Sequence, residues 1–173
     1  MSKILSIPTQ NLPTAGDRPS QISIHPPTPF LRDNLTRILP EWNSDEIRVV
    51  VRLQRSRFPL TKSTPEIEAE KQQLRDRFLN FAFEVASELN RRGWMTDIID
   101  PKTGYPMLSK PGELHHSDAA TVATLLNFPL QRGLCSLALH PDWGSALYPG
   151  VFMSAAPSDR IAEVISAVQN KLI

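Results

Sequence analysis

Trp94-Met95-Thr96-Asp97-Ile98-Ile99-Asp100-Pro101-Lys102-Thr103-Gly104-Tyr105-Pro106-Met107-Leu108 is the stretch from which the fold is read. Trp94 to Asp100 reads as a strand. Pro101 presets one backbone dihedral and Gly104 supplies a positive φ, so Pro101-Lys102-Thr103-Gly104 reads as a turn and Tyr105 to Leu108 can pair back. A link this short joins antiparallel neighbours, because a parallel pair needs a crossover of about a dozen residues or more. Downstream the pattern repeats: Gly133 to His140 reads as a strand, His140-Pro141-Asp142-Trp143-Gly144 as a turn and Ala146 to Ser154 as a strand. Upstream, Ile47 to Leu53 alternates, with Ile47, Val49, Val51 and Leu53 on a core face and Arg48, Val50 and Arg52 on the other.

Helical signals lie between these strands. Thr28-Pro29 reads as N-cap and first helical residue of a helix carrying Phe30, Leu31, Leu35, Ile38 and Leu39, stopped by Pro40. Thr64-Pro65-Glu66 opens the longest helix, whose Leu74, Phe78, Phe81, Val85 and Leu89 form an apolar stripe ending at Gly93. Ser117-Asp118 caps a short helix with Val122, Leu125 and Leu126, and Pro157 opens a last one with Ile161, Val164, Ile165 and Val168. The expected fold class is α+β, an antiparallel or mixed sheet flanked by helices. Residues 29–173 form one domain in this reading. Residues 1–28, rich in proline and without helical or strand periodicity, are expected to be a flexible arm.

Composition excludes several classes of function. The 173 residues carry 19 Lys+Arg against 18 Asp+Glu, a net charge of +1, which removes the cationic footprint of a general nucleic-acid or anionic-membrane binder. No apolar run approaches the roughly 18 residues that span a bilayer. The single cysteine, Cys135, excludes an internal disulfide and zinc sites built on paired cysteines. Ile4-Leu5-Ser6-Ile7 is too short for the apolar core of a signal peptide, and bases are too few for a transit peptide. The expectation is therefore cytoplasmic, with an organellar location as the alternative.

Few residues stand out chemically. Cys135 reads as a small buried hydrophobe, a nucleophile or a metal ligand. A Cys135–His140 dyad is disfavoured, since side chains five apart on a regular strand point to opposite faces. His115-His116-x-Asp118 looks like a fragment of a metal site, but adjacent histidines point apart, and a solvated loop before a helix explains it. His140 reads as a turn residue bonded to backbone, and Asp97 and Asp100 as turn caps. No nucleophile elbow, phosphate-cradling glycine loop or dinucleotide fingerprint occurs, so no catalytic residue and no resident metal are assigned. Arg48, Arg52, Arg55, Arg57 and Lys62 form a basic run without an acid between Ile47 and Ser63. It reads either as a solvated, aggregation-resistant strand face or, through Arg48, Arg52, Arg55 and Arg57, as a docking edge for an acidic partner.

Several landmarks occur in one order: Gly93 to Gly104, Leu126-Asn127-Phe128, Gly133-Leu134-Cys135, His140-Pro141-Asp142-Trp143-Gly144 and Gly150-Val151-Phe152-Met153-Ser154-Ala155-Ala156-Pro157. In this order they resemble the methylmalonic aciduria and homocystinuria type D family of cobalamin metabolism, over about residues 28–173 and as a short form. The resemblance implies a flavin-free domain similar to the nitroreductase fold. It also implies an adaptor, not a free-standing enzyme, that docks on the type C cobalamin-processing protein and directs cofactor toward methionine synthase and methylmalonyl-CoA mutase. No cofactor is expected to bind tightly to the chain alone; cobalamin is expected in the joint complex. In the family a cysteine of an adjacent pair is implicated as a thiolate ligand to cobalt, and the resemblance implies that role for Cys135, which stands at the second place of the pair; Leu134 at the first place departs from the family's pattern. Two alternatives stay open: a flavin-dependent reductase of nitroreductase type with its phosphate held by the Arg48 to Arg57 cluster, and a thiol-dependent enzyme at Cys135.

Overall fold

The computed structural model describes residues 20–43, 46–133 and 135–171. In chain order the elements are β1 (Ser20–His25), α1 (Pro29–Ile38), β2 (Arg48–Arg55), α2 (Pro65–Arg91), β3 (Thr96–Ile99), α3 (Asp118–Leu126), β4 (Leu130–Gln131), β5 (Leu137–Ala138), β6 (Leu147–Ser154) and α4 (Ser158–Lys171). Four strands form one sheet in the order β1-β2-β6-β3, and every neighbouring pair is antiparallel. The α+β, antiparallel expectation holds.

The sheet is covered on both faces, which explains the apolar run Val49-Val50-Val51. Val49, Val51 and Leu53 join Val151 and Met153 of β6, Leu31 and Ile38 of α1 and Val122 of α3 in one core cluster. Val50 points the other way, into a second cluster with Phe152, Phe78 and Phe81 of α2 and Ile161 and Val164 of α4. A strand buried on both sides reads as a continuous apolar run rather than an alternation. Arg52 shares the Val50 face, and its guanidinium lies 4.6 Å from the centre of the Phe81 ring, an arrangement that favours the cation over the ring's negative face.

The helix caps follow the sequence. The Thr28, Thr64 and Ser117 hydroxyls accept from the backbone N–H three residues on, at 3.1, 3.2 and 3.2 Å, satisfying donors that a helix start leaves open.

Two expectations need correction. Residues 20–28 are not part of an arm: Ser20–His25 is an edge strand in register with β2, from Ser20 opposite Gln54 to His25 opposite Val49, and Thr28 caps α1. Only Ile22 and Ile24 enter the core there, too few to create a visible period, and Pro19, Pro26 and Pro27 flank them. The rest of the expected arm, residues 1–19, lies outside the described residues. Gly133 to His140 is not one strand either: among its described residues Leu137–Ala138 forms a two-residue ladder with Leu130–Gln131 in a separate sheet, and His140 makes an isolated bridge with Gly144. Tyr105 to Leu108 does pair back on β3 as expected, through an antiparallel bridge of Ile99 with Pro106 and without a full strand. It returns beside β3 through two backbone bonds, Asp100 N–H to Tyr105 O at 3.0 Å and Met107 N–H to Ile98 O at 2.9 Å, and is held by the Asp97 carboxylate.

His140 does what its place in the turn predicts. Its Nδ1 accepts from the backbone N–H of Asp142 and Trp143 at 3.0 and 3.2 Å, so Nε2 carries the proton and donates to Gln21 of β1 at 3.1 Å. The ring stacks on Trp143 at 3.9 Å, with Phe128 edge-on. Burial lowers the pKa of His140, Asp142 opposing and Arg55 adding to the shift, and burial also lowers that of His25. With both folded values below the ordinary 6.5, the unfolded chain takes up protons first as pH falls. Their contribution to stability is complete above about pH 6.5 and is lost as pH drops toward the folded values. The denaturation midpoint is therefore expected to be lower at about pH 5 than at about pH 7.5; an unchanged midpoint would contradict the His140 assignment.

Candidate functional site

The mismatch in strand length creates a cavity. β6 pairs with β2 along all eight of its residues but with β3 only from Val151 to Ser154. Leu147, Tyr148 and Pro149 thus run past the end of β3, where Asp100 to Gly104 turns away. The space left is a cavity of about 510 Å³. It is bounded by the first half of α2, the 101–104 turn, the start of α3 and the Cys135–Ala138 segment before and within β5.

Cys135 is exposed and lines this cavity. It is not the buried hydrophobe that a free cysteine usually is, and it stands outside a regular strand. Leu134 lies outside the described residues. No histidine partner is found for the thiol among the described residues, since His140 is engaged in its turn.

Behind the cysteine the walls are polar and organised. Arg75 of α2 grips Asp100 through two parallel bonds, Nε to Oδ1 and Nη2 to Oδ2, each 2.9 Å. The hydrogen bond from Arg75 holds the Asp100 carboxyl below its ordinary range, and Asp100 Oδ1 also accepts from the Lys102 N–H at 2.9 Å. Gly104 adopts φ +77°, and a Cβ there would lie 2.6 Å from the His116 carbonyl oxygen. Only glycine lets the turn close onto the His116 backbone, whose N–H donates to Gly104 O at 2.8 Å.

That contact buries His116, contrary to the expected solvated loop. Only His115 remains toward solvent, with its ring against Tyr105, while the His116 side chain is 1% exposed and that of Asp118 9%. His116 Nδ1 meets Asp118 Oδ1 at 3.1 Å, and Nε2 meets the Thr121 hydroxyl at 2.7 Å. With Asp118 as acceptor, the ring donates through Nδ1 and receives the Thr121 proton at Nε2. Burial raises the Asp118 pKa, and the bond to His116 opposes this. Asp118 Oδ2 is buried with no hydrogen-bond partner among the described residues, a state that costs about 1–3 kcal/mol. Tyr148 forms a further part of the wall, and burial pushes its hydroxyl well above the usual tyrosine range.

The basic run does not form one patch. Arg48 bonds Ser158 of α4 at 3.2 Å and Arg52 covers Phe81, so both are half-buried on the α2–α4 face. Arg55 falls on the opposite face of β2 by alternation. Arg55 and Arg57 are exposed, next to exposed Phe58. Sequence reasoning missed Arg75, Lys71, Lys102 and Tyr148; they converge from segments up to 77 positions apart, and no local spacing marks them.

Among the described residues no group of three or more His, Cys, Asp or Glu side chains could hold a metal ion, and no helix is long and apolar enough to cross a membrane.

The model of the methylmalonic aciduria and homocystinuria type D protein family matches residues 18–166. The chain belongs to this family. The type D family match runs from before β1 into α4, so the edge strand lies inside it and not before it. Among curated relatives, "Cobalamin trafficking protein CblD" of Homo sapiens is 25% identical over 139 residues, 79% of this chain and 47% of the relative. That of Gallus gallus is 26% identical over 146 residues, with the same two shares, and that of Rattus norvegicus 24% over 131 residues, 75% and 44%. The chain spans about half the length of the type D relatives it matches.

Proposed function

We propose that this chain is a cobalamin-trafficking adaptor in which Cys135 is the axial thiolate ligand to cobalt during transfer. The observation that carries this reading is the accessible thiol at a cavity, in a member of the type D family. Cobalt is the cargo here, and its Lewis acidity supplies the activation that the protein need not, since metal coordination deprotonates a thiol outright. A sulfur ligand also suits a soft, low-valent metal centre. The wall residues hold the loop and its surroundings in place, and no group among them is assigned a catalytic step.

The adaptor reading includes docking on a type C-like cobalamin-processing protein, with methionine synthase or methylmalonyl-CoA mutase as the enzymes ultimately served. Arg55 and Arg57, exposed beside Phe58, are the docking residues we propose from the basic run, because arginine and aromatic side chains concentrate binding energy at interfaces. The fold is proposed as a flavin-free relative of the nitroreductase domain. A flavin phosphate site is disfavoured, because Arg48 and Arg52 are turned under α2 and α4 and cannot converge with Arg55.

A visible-absorption titration of cobalamin with the protein, alone and with a type C processing protein, tests the reading. The expected result is a spectral change that requires Cys135 and is lost in Cys135→Ser, while the two proteins still co-elute. A change identical in wild type and variant would remove the ligand role; failure to co-elute would remove the adaptor role.

A further inference from the structure

We infer that His140 is a positioning residue for Cys135: it fastens the base of the β4–β5 hairpin to the main sheet and so holds the thiol where it ligates. This deepens the ligand reading above, and its last step rests on that reading.

Cys135 belongs to the connection between β4 and β5, residues 132–136. The ladder beneath it is two pairs long, Leu130 with Ala138 and Gln131 with Leu137, followed by a bond from Leu139 N–H to Pro129 O at 2.9 Å. A two-stranded ribbon of this size does not hold itself in water. Of the four ladder residues Ala138 alone is buried, in the core cluster that contains Val122 of α3. Apolar contact is non-directional, so it keeps the hairpin against α3 without fixing its angle. The tip adds little, since Gln131, Arg132, Gly133, Cys135 and Ser136 are all exposed.

Directional contacts begin where the hairpin ends. Phe128 stands before β4, with its N–H donating to Ala123 O of α3 at 3.1 Å, and His140 stands after β5. Their rings meet edge to face at 5.4 Å and close the base. The His140 ring then ties this base to its surroundings. It stacks on Trp143 at 3.9 Å, its Nδ1 accepts from the N–H groups of Asp142 and Trp143, and its Nε2–H donates to Gln21 Oε1 at 3.1 Å. The Gln21 bond spans 119 positions of chain and joins the hairpin base directly to β1, the edge of the four-stranded sheet. A ring with both nitrogens engaged has one tautomer and one orientation. Cys135 lies five residues from it, so an unfastened base lets the tip sample positions in which the sulfur is out of place. Apparent affinity for cobalt then falls with the fraction of molecules that hold the thiol in position.

The test uses two variants that alter the fastening and leave the thiol in place. Gln21→Met keeps the length of the side chain and removes the acceptor for Nε2–H; His140→Phe keeps a ring against Phe128 and Trp143 and removes both nitrogens. Both are studied far below their denaturation midpoints, where a loss of stability alone moves neither of two readouts. Because Cys135 is the single cysteine, a nitroxide attached to it reports the motion of the hairpin tip. Its spectral lines are expected to sharpen in Gln21→Met and further in His140→Phe. The unlabelled proteins are titrated with cobalamin under the conditions that give the Cys135-dependent spectral change. Ligation is expected to weaken about threefold to tenfold in Gln21→Met and at least about tenfold in His140→Phe, with co-elution of the processing partner unchanged. Unchanged lines in Gln21→Met would overturn the inference, as would sharpened lines with ligation as tight as in the wild type. Gln21→Met decides alone should His140→Phe fail to fold. If the wild type gives no Cys135-dependent change, the ligand reading fails, and the nitroxide lines still decide whether His140 holds the hairpin.

Discussion

Phe78→Ala is expected to lower the unfolding free energy by about 3–5 kcal/mol. Phe78 is 0% exposed in the middle of α2 and packs where α2 and α4 cover the sheet. Its ring lies directly over Gly150 of β6: a Cβ at Gly150 would come within 2.5 Å of the ring. The glycine is therefore a packing requirement of a fully buried ring, and Gly150→Ala is expected to cost about 1–3 kcal/mol although it adds only a methyl group. Because both changes act on one contact, they should not be additive. Gly150→Ala placed in a Phe78→Leu background should cost less than in the wild type, by about 1 kcal/mol. Urea denaturation of the two single variants and the double variant measures this, and a neutral Gly150→Ala would show that the ring is free to move.

Asp97→Ala is expected to cost about 3 kcal/mol or more. The Asp97 carboxylate, 1% exposed as a residue, accepts from the backbone N–H of Met107, Leu108 and Ser109 at 3.2, 2.9 and 2.9 Å, and from the Ser109 hydroxyl. Charge-assisted bonds of this kind are stronger than neutral ones, and several converge on a single group. The carboxylate thus does the work that a second strand would do: it pins the returning segment to β3 although that segment makes few ladder bonds. Hydrogen exchange at Leu108 and Ser109 should accelerate in Asp97→Ala, with Asp97→Asn intermediate. Unchanged protection at those amides would refute this role.

These two residues also show what a sequence can and cannot reveal. Phe78 is legible as part of a three-and-four spaced stripe, because a helix repeats its inward face locally; Gly150 is not legible as its counterpart, because the two meet across 72 positions of chain. Asp97 is legible as a capping residue, but its partners are ten to twelve residues on, beyond a turn. The caps Thr28, Thr64 and Ser117 read directly, since a cap and its acceptor bond lie within three residues. β1 escapes the reading because an edge strand needs only Ile22 and Ile24 in the core, and two apolar residues are too few to set a period.

The site divides in the same way. Cys135 stands out because it is the single cysteine, whereas its exposure follows from the shortness of β4 and β5, which no pattern announces. His116 and Asp118 are visible as a motif and read as a solvated loop, because adjacent histidines do point apart. What the sequence does not convey is that Gly104 closes onto the His116 backbone and buries one histidine of the two. Arg75 and Asp100, 25 residues apart, meet only because the end of β3 lies against the first half of α2.

The most direct measurement of the central claim is cobalt X-ray absorption on cobalamin bound to this protein, with the processing partner present where binding requires it. Ligation by Cys135 predicts a sulfur atom bonded to cobalt in the wild type and its replacement by a lighter donor in Cys135→Ser. A cobalt environment of nitrogen and oxygen only, the same in both proteins, would contradict it.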